Sequence, residues 1–383
     1  MDNLLRVENI EFLLTNQCNM RCKYCFEGSH VKDKGSVDPE KVKQFLTQNG
    51  ARNFYVFGGE PLLRLKELEE IINTVKQSNE ISNNRKNSLL KGLRKITSNA
   101  TLITEKNIEK IKQLELNFQI SLDGYEEVND VNRVFPSGKG SFKTVMNAID
   151  ILSVNNIEWS IHGVLNMQNS LHYLDIIKFL FNLMKQHKSL EKAVDYFSGN
   201  FSMFVFEDNY TDDFIDLFLD QLDQTSDWIL NSAELSDLTK EQRIKLFNNV
   251  IIRKGVGGVC GVGRGLKTSD NNYNIHPCHR LVVRDDTILG NLFDDRELMN
   301  IPLYKNLQKM VQGRIMYSTH YSVTSNMSKK SDLRWWMYCP ATNLETSGNP
   351  RFANAAYSVL VSELNRYTRF LESKYLGKST KDN

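Results

Sequence analysis

Three cysteines lie within residues 18–25 in the order CxxxCxxC, as Cys18, Cys22 and Cys25 of the stretch LLTNQCNMRCKYCFEG. The whole chain has 6 cysteines, so this short segment holds half of its thiols. Clustered cysteines in a long cytosolic chain are more often metal ligands or catalytic groups than disulfides. Thiolates are soft ligands that select zinc or an iron–sulfur centre. The spacing therefore predicts a metal centre at this segment.

A buried helix is the alternative explanation, because positions i, i+4 and i+7 share one helix face, where a free cysteine packs as a small apolar residue. On a helix, however, Cys18 and Cys25 would stand roughly 10 Å apart along the axis. Asn19 and Gly28 favour a loop instead. Structural zinc usually takes four protein ligands, but no fourth cysteine is near and His30 lies well beyond Cys25. A three-cysteine iron–sulfur cluster would leave one iron open for a small molecule.

The elements that must position this segment alternate between strand and helix patterns. Six short runs are rich in β-branched or aromatic residues and predict strands, at Ile10–Thr15, Phe54–Phe57, Lys95–Ser98, Phe118–Ser121, Trp159–Val164 and Phe201–Phe206. Helical patterns between them begin at Pro39, at Leu65 and after Ser141 as N-cap, and Asp212–Leu230 predicts an acidic amphipathic helix. This alternation indicates parallel strands with right-handed crossovers, and six units by about residue 235 suit a partial barrel.

In such folds the chemistry lies at the carboxyl ends of the strands. The cysteine segment follows the first predicted strand, so we expect it to lie at the same mouth as the other polar or glycine-rich strand ends. These are FGGEP at 57–61, TSNA at 97–100, SLDG at 121–124 and GVLNMQN at 163–169. The polar, basic segment Asn79–Arg94 predicts an exposed insertion.

Composition excludes several function classes. The 383 residues are 40% hydrophobic and 25% charged, as in an ordinary globular protein with one large and one smaller domain. A formal net charge of +2 and a pI near 8.1 give no basic field that would indicate a nucleic-acid partner. No apolar run is long enough to span a bilayer, and Met1-Asp2-Asn3 does not open a signal peptide. We therefore predict a cytoplasmic protein without a membrane partner.

The combination of CxxxCxxC, an aromatic Tyr24 before the third cysteine and GGEP after the next strand resembles the radical S-adenosylmethionine (radical SAM) enzymes. The resemblance covers about residues 8–235. It implies an α/β fold, a partial (β/α)6 TIM-like barrel with a smaller C-terminal auxiliary-cluster domain. The domains expected are 1–235 for the barrel, 236–350 for the auxiliary iron–sulfur domain, and 351–383 for a C-terminal helix and frayed tail.

The resemblance also implies which residues bind the cofactors. Cys18, Cys22 and Cys25 would hold three irons of a [4Fe–4S] cluster whose fourth iron chelates the amino and carboxylate groups of SAM. The implied SAM contacts are Tyr24 and Leu165 at the adenine, Gly58, Gly59, Glu60 and Pro61 at the methionine ammonium, Ser121 and Asp123 at the ribose, Arg133 at the carboxylate, and Asn99 nearby. Each has an ordinary structural alternative. The SLDG segment also suits a plain turn, and Arg133 also suits a surface ion pair.

The chemistry implied by the family belongs mostly to the cofactor. An electron from a donor such as flavodoxin or ferredoxin cleaves SAM to methionine and a 5′-deoxyadenosyl radical, which abstracts a hydrogen atom from the substrate. The protein positions that substrate and so decides which C–H bond reacts.

The C-terminal cysteines resemble the auxiliary-cluster extension of this family, called SPASM. Cys260, Cys278 and Cys339 align with three of the four ligands of its first cluster, whereas the cysteines of its second cluster are missing. Tyr273 replaces a usual glycine, and Trp335 stands at a cysteine position. Either one auxiliary [4Fe–4S] cluster is retained with an open or non-cysteine fourth site, such as His276 or His279, or the metal is lost and these are core thiols.

Enzymes with this extension mostly modify peptides or proteins, which implies a peptide or protein substrate and favours maturation of a ribosomally made peptide by crosslinking, thioether formation or epimerisation. An anaerobic sulfatase-type formylglycine maturase is the alternative, although such enzymes carry both auxiliary clusters. A non-catalytic zinc or iron–sulfur protein is the third possibility, and it has no need for GGEP, Asp123 or Arg133.

The first strand begins so early that we expect no N-terminal peptide-recognition domain. A leader peptide would then dock on the barrel, on Ile81–Arg94, on the acidic helix near Asp212–Asp223, or through a separate protein. His162, Tyr210 and Arg280 are candidates for substrate contact that no spacing singles out. The sequence predicts no oligomeric state.

Overall fold

The computed structural model describes residues 7, 9–25, 37–48, 51, 53–197, 210–252, 266–293, 302–305, 317–318, 352–353 and 355–377. Their strands are β1 (Asn9–Thr15), β2 (Asn53–Gly58), β3 (Lys95–Ser98), β4 (Asn117–Ser121), β5 (Trp159–His162), β6 (Leu266–Ser269), β7 (Asn274–His276), β8 (Gly290–Asn291), β9 (Tyr317–Ser318) and β10 (Phe352–Ala353). The first five strands confirm five of the six predicted from sequence. The sixth, Phe201–Phe206, lies outside the described residues.

Helices connect these strands as the apolar spacing predicts. They are α1 (Pro39–Gln48), α2 (Leu65–Gln77), α3 (Asn83–Leu93), α4 (Ile108–Leu114), α5 (Glu126–Asn132), α6 (Phe142–Val154), α7 (Met167–Ser170), α8 (Tyr173–His187), α9 (Leu190–Tyr196), α10 (Asp212–Asn231), α11 (Lys240–Phe247) and α12 (Ala355–Leu376). α1 begins at the predicted proline, whose fixed φ suits the first helical turn.

A five-stranded sheet has the order β2-β1-β6-β7-β8. β1 runs parallel to β2 on one side and to β6 on the other, whereas β7 and β8 continue antiparallel from β6. A three-stranded sheet has the order β3-β4-β5, with β3 parallel to β4. The described strands thus form open sheets, and the mixed α/β fold confirms the predicted class with its partial TIM-like barrel.

An aromatic core fixes β1 against its neighbours. Phe12 has no exposed surface, stacks on Phe54 of β2 at a ring-centroid distance of 4.7 Å, and contacts Phe45 of α1 at 5.7 Å. Tyr273, in the turn between β6 and β7, contacts Phe12 at 6.3 Å. Because side chains alternate along a strand, Glu11 lies on the opposite face of the sheet from Phe12. The strand before the cysteine segment is therefore held by aromatic packing on its helix-covered face.

Two local expectations are wrong. The segment Asn79–Arg94 is not simply an exposed insertion, because α3 forms within it and buries Leu89, Leu90 and Leu93. Its Gly92 lies so close to β2 that a Cβ there would come within 2.2 Å of the Phe54 carbonyl oxygen. A short apolar run inside a basic segment gave too little periodicity to show this burial.

The second correction concerns the cap of α6. Ser141 stands at the N-cap position, but its side chain makes no capping bond. Instead the Phe142 amide donates to the Asp130 carboxylate at 2.9 Å, and the Ser141 hydroxyl accepts from Asn129 at 3.2 Å. A carboxylate from an earlier turn thus takes over the cap, which local sequence does not reveal.

The chain divides into two compact units. One unit comprises Met1–Ser121, Asn129–Ser160 and Gly261–Gln312, and the other comprises Leu122–Val128, Ile161–Cys260 and Gly313–Asn383. This division differs from the three domains predicted from sequence, whose boundaries stay a prediction.

Within the second unit, the C-terminal helix α12 packs on α10. Lys374 donates to both oxygens of Asp223, at 2.7 and 2.8 Å, and the Tyr375 hydroxyl donates to the same carboxylate at 3.1 Å. One acidic residue of the predicted amphipathic helix is therefore bound within the protein. No helix among the described residues is long and apolar enough to cross a membrane.

Candidate functional site: the cysteine loop and the strand ends around it

The three cysteines lie in an irregular loop directly after β1, which excludes the helical alternative. Cys18 and Cys22 are half-buried and Cys25 is exposed. The Cys25 amide donates to the Cys22 carbonyl at 3.1 Å, and the Met20 amide donates to the Cys18 sulfur at 3.4 Å. The Arg21 guanidinium donates to the carbonyls of Cys18 and Met20, at 2.9 and 2.7 Å. The loop is thus shaped by its own backbone groups.

The segment around Arg133 is hydrogen-bonded to this loop. The amides of Arg21 and Lys23, on either side of Cys22, donate to the carbonyls of Val134 and Asn132 at 2.7 and 3.0 Å. Between these two bonds, the Arg133 guanidinium lies over the Tyr24 ring at 5.4 Å from its centroid. Arg133 is only 6% exposed, so it is not the surface residue of the alternative interpretation. Its predicted contact with the SAM carboxylate stays a prediction.

GGEP lies against the residues that lead into the loop. The Gly59 and Glu60 amides donate to the carbonyls of Thr15 and Gln17, both at 2.8 Å. A Cβ on Gly58 would lie 2.4 Å from the Thr15 carbonyl oxygen, and one on Gly59 would lie 2.4 Å from that of Gln17. The two glycines are therefore required because the backbones of two strand ends touch. The ends of β1 and β2 meet, as their order in the sheet predicts.

Glu60 has no exposed surface, and its carboxylate faces protein donors. It accepts from the Leu62 amide at 3.0 Å, the Ser98 hydroxyl at 2.8 Å and the Asn99 amide at 2.8 Å. Burial raises the pKa of Glu60 to about 6, against the lowering effect of these three bonds. The carboxylate connects the ends of β2 and β3. Its predicted contact with an ammonium group stays a prediction.

Asn99, after β3, contacts the cysteine loop directly. Its carboxamide nitrogen lies 2.9 Å from the Asn19 carboxamide oxygen and 3.8 Å from the Cys18 sulfur. Its oxygen accepts from the amide and hydroxyl of Thr101, at 3.0 and 2.7 Å, and Asn19 donates to the same hydroxyl at 2.8 Å. The sequence interpretation missed Asn19 and Thr101. Their polar character was visible, but their contact depends on two distant strand ends.

Electrostatics around Cys18 oppose an unliganded thiolate. Burial, joined by the charges of Glu60, Cys22 and Cys25, raises the pKa of Cys18 to about 12, against the lowering effect of the hydrogen bond from the Met20 amide. A thiolate here needs positive charge, which a bound metal supplies.

The remaining predicted SAM contacts lie at the ends of the next strands. Ser121 is half-buried in the first unit, and Asp123 and Leu165 lie in the second. There the Asp123 carboxylate accepts from the Val164 amide at 2.8 Å, and a Cβ on Gly163 would come within 2.7 Å of the Leu122 carbonyl oxygen. Gly124 has φ +148°, a backbone conformation that favours glycine. The structure places these residues at strand ends without testing their contact with SAM.

Leu165 is followed by a helix start that fixes its backbone. Asn166 and Asn169 form a reciprocal capping box at α7, with the Asn169 amide donating to the Asn166 side chain at 3.0 Å and the Asn166 amide donating to that of Asn169 at 2.7 Å. Of the three candidate substrate contacts, His162 and Arg280 are half-buried. Tyr210 is buried, and its ring lies 5.7 Å from that of Phe214, which indicates core packing.

The donor set of this loop is soft, as an iron–sulfur cluster requires. Among the described residues, no group of three or more His, Cys, Asp or Glu side chains is arranged to hold one metal ion. A [4Fe–4S] cluster binds each cysteine through a different iron, so its thiolates need not converge on one point. Three thiols in one loop, with Asn99 and the Met20 amide directed at the Cys18 sulfur, suit such a cluster.

Only Cys278 of the three proposed auxiliary ligands lies within the described residues, because Cys260 and Cys339 fall outside them. Cys278 is half-buried at the start of the helical turn His279–Leu281. The His276 ring is fully buried, with Nδ1 3.0 Å from the Thr287 hydroxyl and Nε2 3.5 Å from Asp270. A fully buried ring facing protein groups on both nitrogens does not suit an iron ligand.

His279, the other candidate ligand, has a 48% exposed side chain and lies beside β1. Its Nδ1 is 3.0 Å from the Glu11 carboxylate, which also accepts from the Thr268 hydroxyl at 3.2 Å. Burial raises the pKa of Glu11, but the charge and hydrogen bond of His279 outweigh burial and the pKa is lowered. The His279 ring lies 5.2 Å from that of Phe57. The sequence interpretation did not foresee the role of Glu11.

Comparison with known proteins supports this site. The model of the Radical SAM superfamily matches residues 12–180, which include the cysteine loop, GGEP, Asn99 and Arg133. This chain carries a radical SAM domain. Over 176 residues it is 32% identical to the cysteine-type anaerobic sulfatase-maturating enzyme of Clostridium novyi, covering 43% of this chain and 45% of that enzyme. The chain spans about half the length of the curated relatives it matches.

Solved structures of radical SAM proteins share the fold. Native anSMEcpe with bound AdoMet and Kp18Cys peptide has a TM-score of 0.64 at 17% identity, covering 97% of this chain and 99% of that chain. SuiB of Streptococcus suis, bound to S-adenosylmethionine, has a TM-score of 0.55 at 13% identity, covering 92% and 77%. At such low identity these similarities show the fold alone.

Proposed function

We propose that this protein is a radical SAM enzyme that abstracts a hydrogen atom from a peptide or protein substrate. The observation that carries the proposal is the meeting of three strand ends at one loop. The Asn99 carboxamide lies against the Cys18 sulfur, the Asn99 amide donates to Glu60 of GGEP, and the Glu60 amide donates to the carbonyl of Gln17, the residue before Cys18. A zinc-binding or sensing protein would not need the ends of β2 and β3 beside the cysteine loop.

Cys18, Cys22 and Cys25 would hold the [4Fe–4S] cluster. When bound, the cluster and SAM supply a reductively formed 5′-deoxyadenosyl radical as the hydrogen-abstracting species. The protein's own residues bind and orient. The half-buried Gly58 and Gly59 present backbone groups beside the loop, and Arg133 presents a planar cation suited to a carboxylate. Substrate-contacting residues with a catalytic role are not assigned.

The other SAM contacts follow the order of the strand ends. Ser121 and Asp123 would bind the ribose hydroxyls, and Tyr24 and Leu165 would flank the adenine. Tyr24 would do so while its ring stays against Arg133, so one aromatic side chain would connect the adenine and carboxylate ends of the ligand. Pro61 is buried at the start of a helical turn and fixes the end of GGEP.

One auxiliary [4Fe–4S] cluster would be held by Cys260, Cys278 and Cys339 in a degenerate SPASM extension. The exposed position of His279 beside Cys278, and the full burial of His276, favour His279 over His276 as a fourth ligand. A flavodoxin or ferredoxin would deliver the electron, and the reaction would take place in the cytoplasm.

For the substrate, we favour a ribosomally made peptide that receives a crosslink, a thioether or an epimerised residue. SuiB is crystallised with S-adenosylmethionine, and anSMEcpe with both AdoMet and a peptide, which supports a peptide ligand in this fold. Formylglycine formation on a sulfatase is the second candidate, favoured by the 32% identity with the Clostridium novyi enzyme. The cysteines of the second auxiliary cluster are missing, which favours the ribosomally made peptide over the sulfatase as substrate.

The test is anaerobic reconstitution with iron and sulfide, followed by dithionite and SAM. We expect 5′-deoxyadenosine from the wild type and none from a Cys18/Cys22/Cys25 triple alanine variant. No 5′-deoxyadenosine from a fully loaded wild type would exclude the enzyme. The triple variant should retain about four irons if the auxiliary cluster is present. Mass spectrometry of a sulfatase-derived cysteine peptide, against a short peptide encoded beside the gene, separates the two substrate classes.

A further inference from the structure

Asn99 joins the end of β3 to the cysteine loop through both ends of its side chain. The carboxamide nitrogen is 3.8 Å from the Cys18 sulfur and 2.9 Å from the Asn19 oxygen, while the carboxamide oxygen is held by Thr101. Asn99 is 8% exposed. This side chain therefore has its hydrogen-bonding groups directed at the protein and the cysteine sulfur.

Glu60 fixes the backbone that carries Asn99. Its carboxylate accepts from the Asn99 amide and the Ser98 hydroxyl, and that hydroxyl accepts from the Ala100 amide at 2.9 Å. A side chain with no exposed surface cannot reach a ligand without movement of its surroundings. The burial of Glu60 thus fits a role in holding the end of β3.

Ala100 shows that this strand end is held in a strained conformation. Its φ is +60°, in the left-handed region that is sterically unfavourable for an L-residue with a side chain. Such a conformation persists where the surroundings over-determine it. Here the bonds of Ser98, Asn99 and Thr101 supply those constraints. The carboxamide of Asn99 is consequently presented to Cys18 in a fixed orientation.

We propose that Asn99 is a positioning residue that donates a hydrogen bond to Cys18 and thereby raises the reduction potential of the bound cluster, and that Glu60 acts through Asn99. This inference rests on the proposed function and deepens it, since the sequence assigned both residues to SAM contact. Hydrogen bonds to cysteine sulfur stabilise the more negative, reduced cluster and are one of the protein's means of setting its potential.

The test compares Asn99→Ala and the isosteric Asn99→Asp with Thr97→Ala as a matched control. Thr97 is an exposed residue of the same strand, bonded to Gln119 and not to the loop. The potential of each reconstituted protein is measured by EPR-monitored titration before SAM is added. We expect a more negative potential in both Asn99 variants and an unchanged potential in Thr97→Ala.

An unchanged potential in the Asn99 variants would overturn the inference, and a tenfold or greater loss of SAM affinity without a shift in potential would show that Asn99 is a SAM ligand. A second measurement uses the cluster-free protein. The melting temperatures of Asn19→Ala, Asn99→Ala and the double variant should be non-additive, with a double shift smaller than the sum. Additive shifts in melting temperature would contradict the hydrogen bond between Asn19 and Asn99.

These outcomes are separable from failure of the proposed function. A wild type that takes up a cluster but forms no 5′-deoxyadenosine refutes the enzyme and leaves the potential measurement intact. A wild type that takes up no cluster would refute both the proposed enzyme activity and the proposed effect of Asn99 on the reduction potential. This holds whatever the melting temperatures of the cluster-free variants show.

Discussion

The guanidinium of Arg133 lies 5.4 Å from the centroid of the Tyr24 ring, between two backbone hydrogen bonds that join its segment to the cysteine loop. A guanidinium is a planar cation whose N–H groups match the geometry of a carboxylate. The pair therefore joins the loop to a group suited to a carboxylate.

Replacing Arg133 with Lys should keep the positive charge. It should lose the contact of a planar guanidinium with the Tyr24 ring and the paired N–H groups that suit a carboxylate. We expect the affinity of the cluster-loaded protein for SAM to fall about tenfold or more, equivalent to about 1.4 kcal/mol, measured by equilibrium binding. Arg85→Lys is the matched control, because Arg85 donates to the carbonyls of Leu46 and Ala51 and lies far along the chain from the loop. Equal affinities for SAM in wild type and Arg133→Lys would refute the carboxylate contact.

Gly59→Ala should disturb the cysteine loop, because the new Cβ would meet the Gln17 carbonyl oxygen at 2.4 Å. We expect a loss of about 1–3 kcal/mol in the free energy of unfolding and a loss of cluster uptake. Chemical denaturation and iron counting measure the two effects. Gly138→Ala is the control, since its Cβ meets nothing within 4 Å and only its φ of +81° is unfavourable. Normal iron content in Gly59→Ala would contradict the close packing of GGEP on β1.

Ala100→Gly should stabilise the protein, because glycine adopts the φ of +60° without the steric cost that alanine pays. After the greater chain entropy of an unfolded glycine is subtracted, we expect a gain of about 0.5–1 kcal/mol in the free energy of unfolding. The same change at Ala148, inside α6, should destabilise by about 1 kcal/mol or more. Destabilisation at both positions would show that Ala100 is not strained.

The φ of Tyr273 is +64°, in the left-handed region that favours glycine. Its side chain packs on Phe12, lies under the Lys41 ammonium at 5.0 Å, and accepts from the Asp38 amide at 3.0 Å. Both Tyr273→Ala and Tyr273→Gly should destabilise through lost packing. The glycine variant should be the more stable of the two by about 1 kcal/mol, since it alone relieves the left-handed backbone. Urea denaturation of both variants measures this order, and a more stable alanine variant would contradict it.

The parts of this structure that sequence predicted are those with local signals. Lys95–Ser98 has the predicted bounds, because a β-branched run ends in a polar turn. The loop conformation of the cysteine segment also followed from local residues, since Asn19 favours a loop over a helix. The partner of β1 did not follow, because nothing in Leu266–Ser269 indicates pairing with a strand at the other end of the chain. The burial of Glu60 was also not predictable, since it depends on the distance between the ends of β2 and β3.

β1 is held on one side by β6, and the bond from Thr268 to Glu11 joins residues 257 positions apart. During synthesis, one edge of β1 must therefore wait unpaired until the chain beyond residue 269 has left the ribosome. An unpaired edge strand of this kind invites wrong pairing, and long-range contacts form slowly. The cysteine loop, although encoded near the start, can reach its final support only late in biosynthesis, so cluster insertion into nascent chains should lag behind their N-terminal translation.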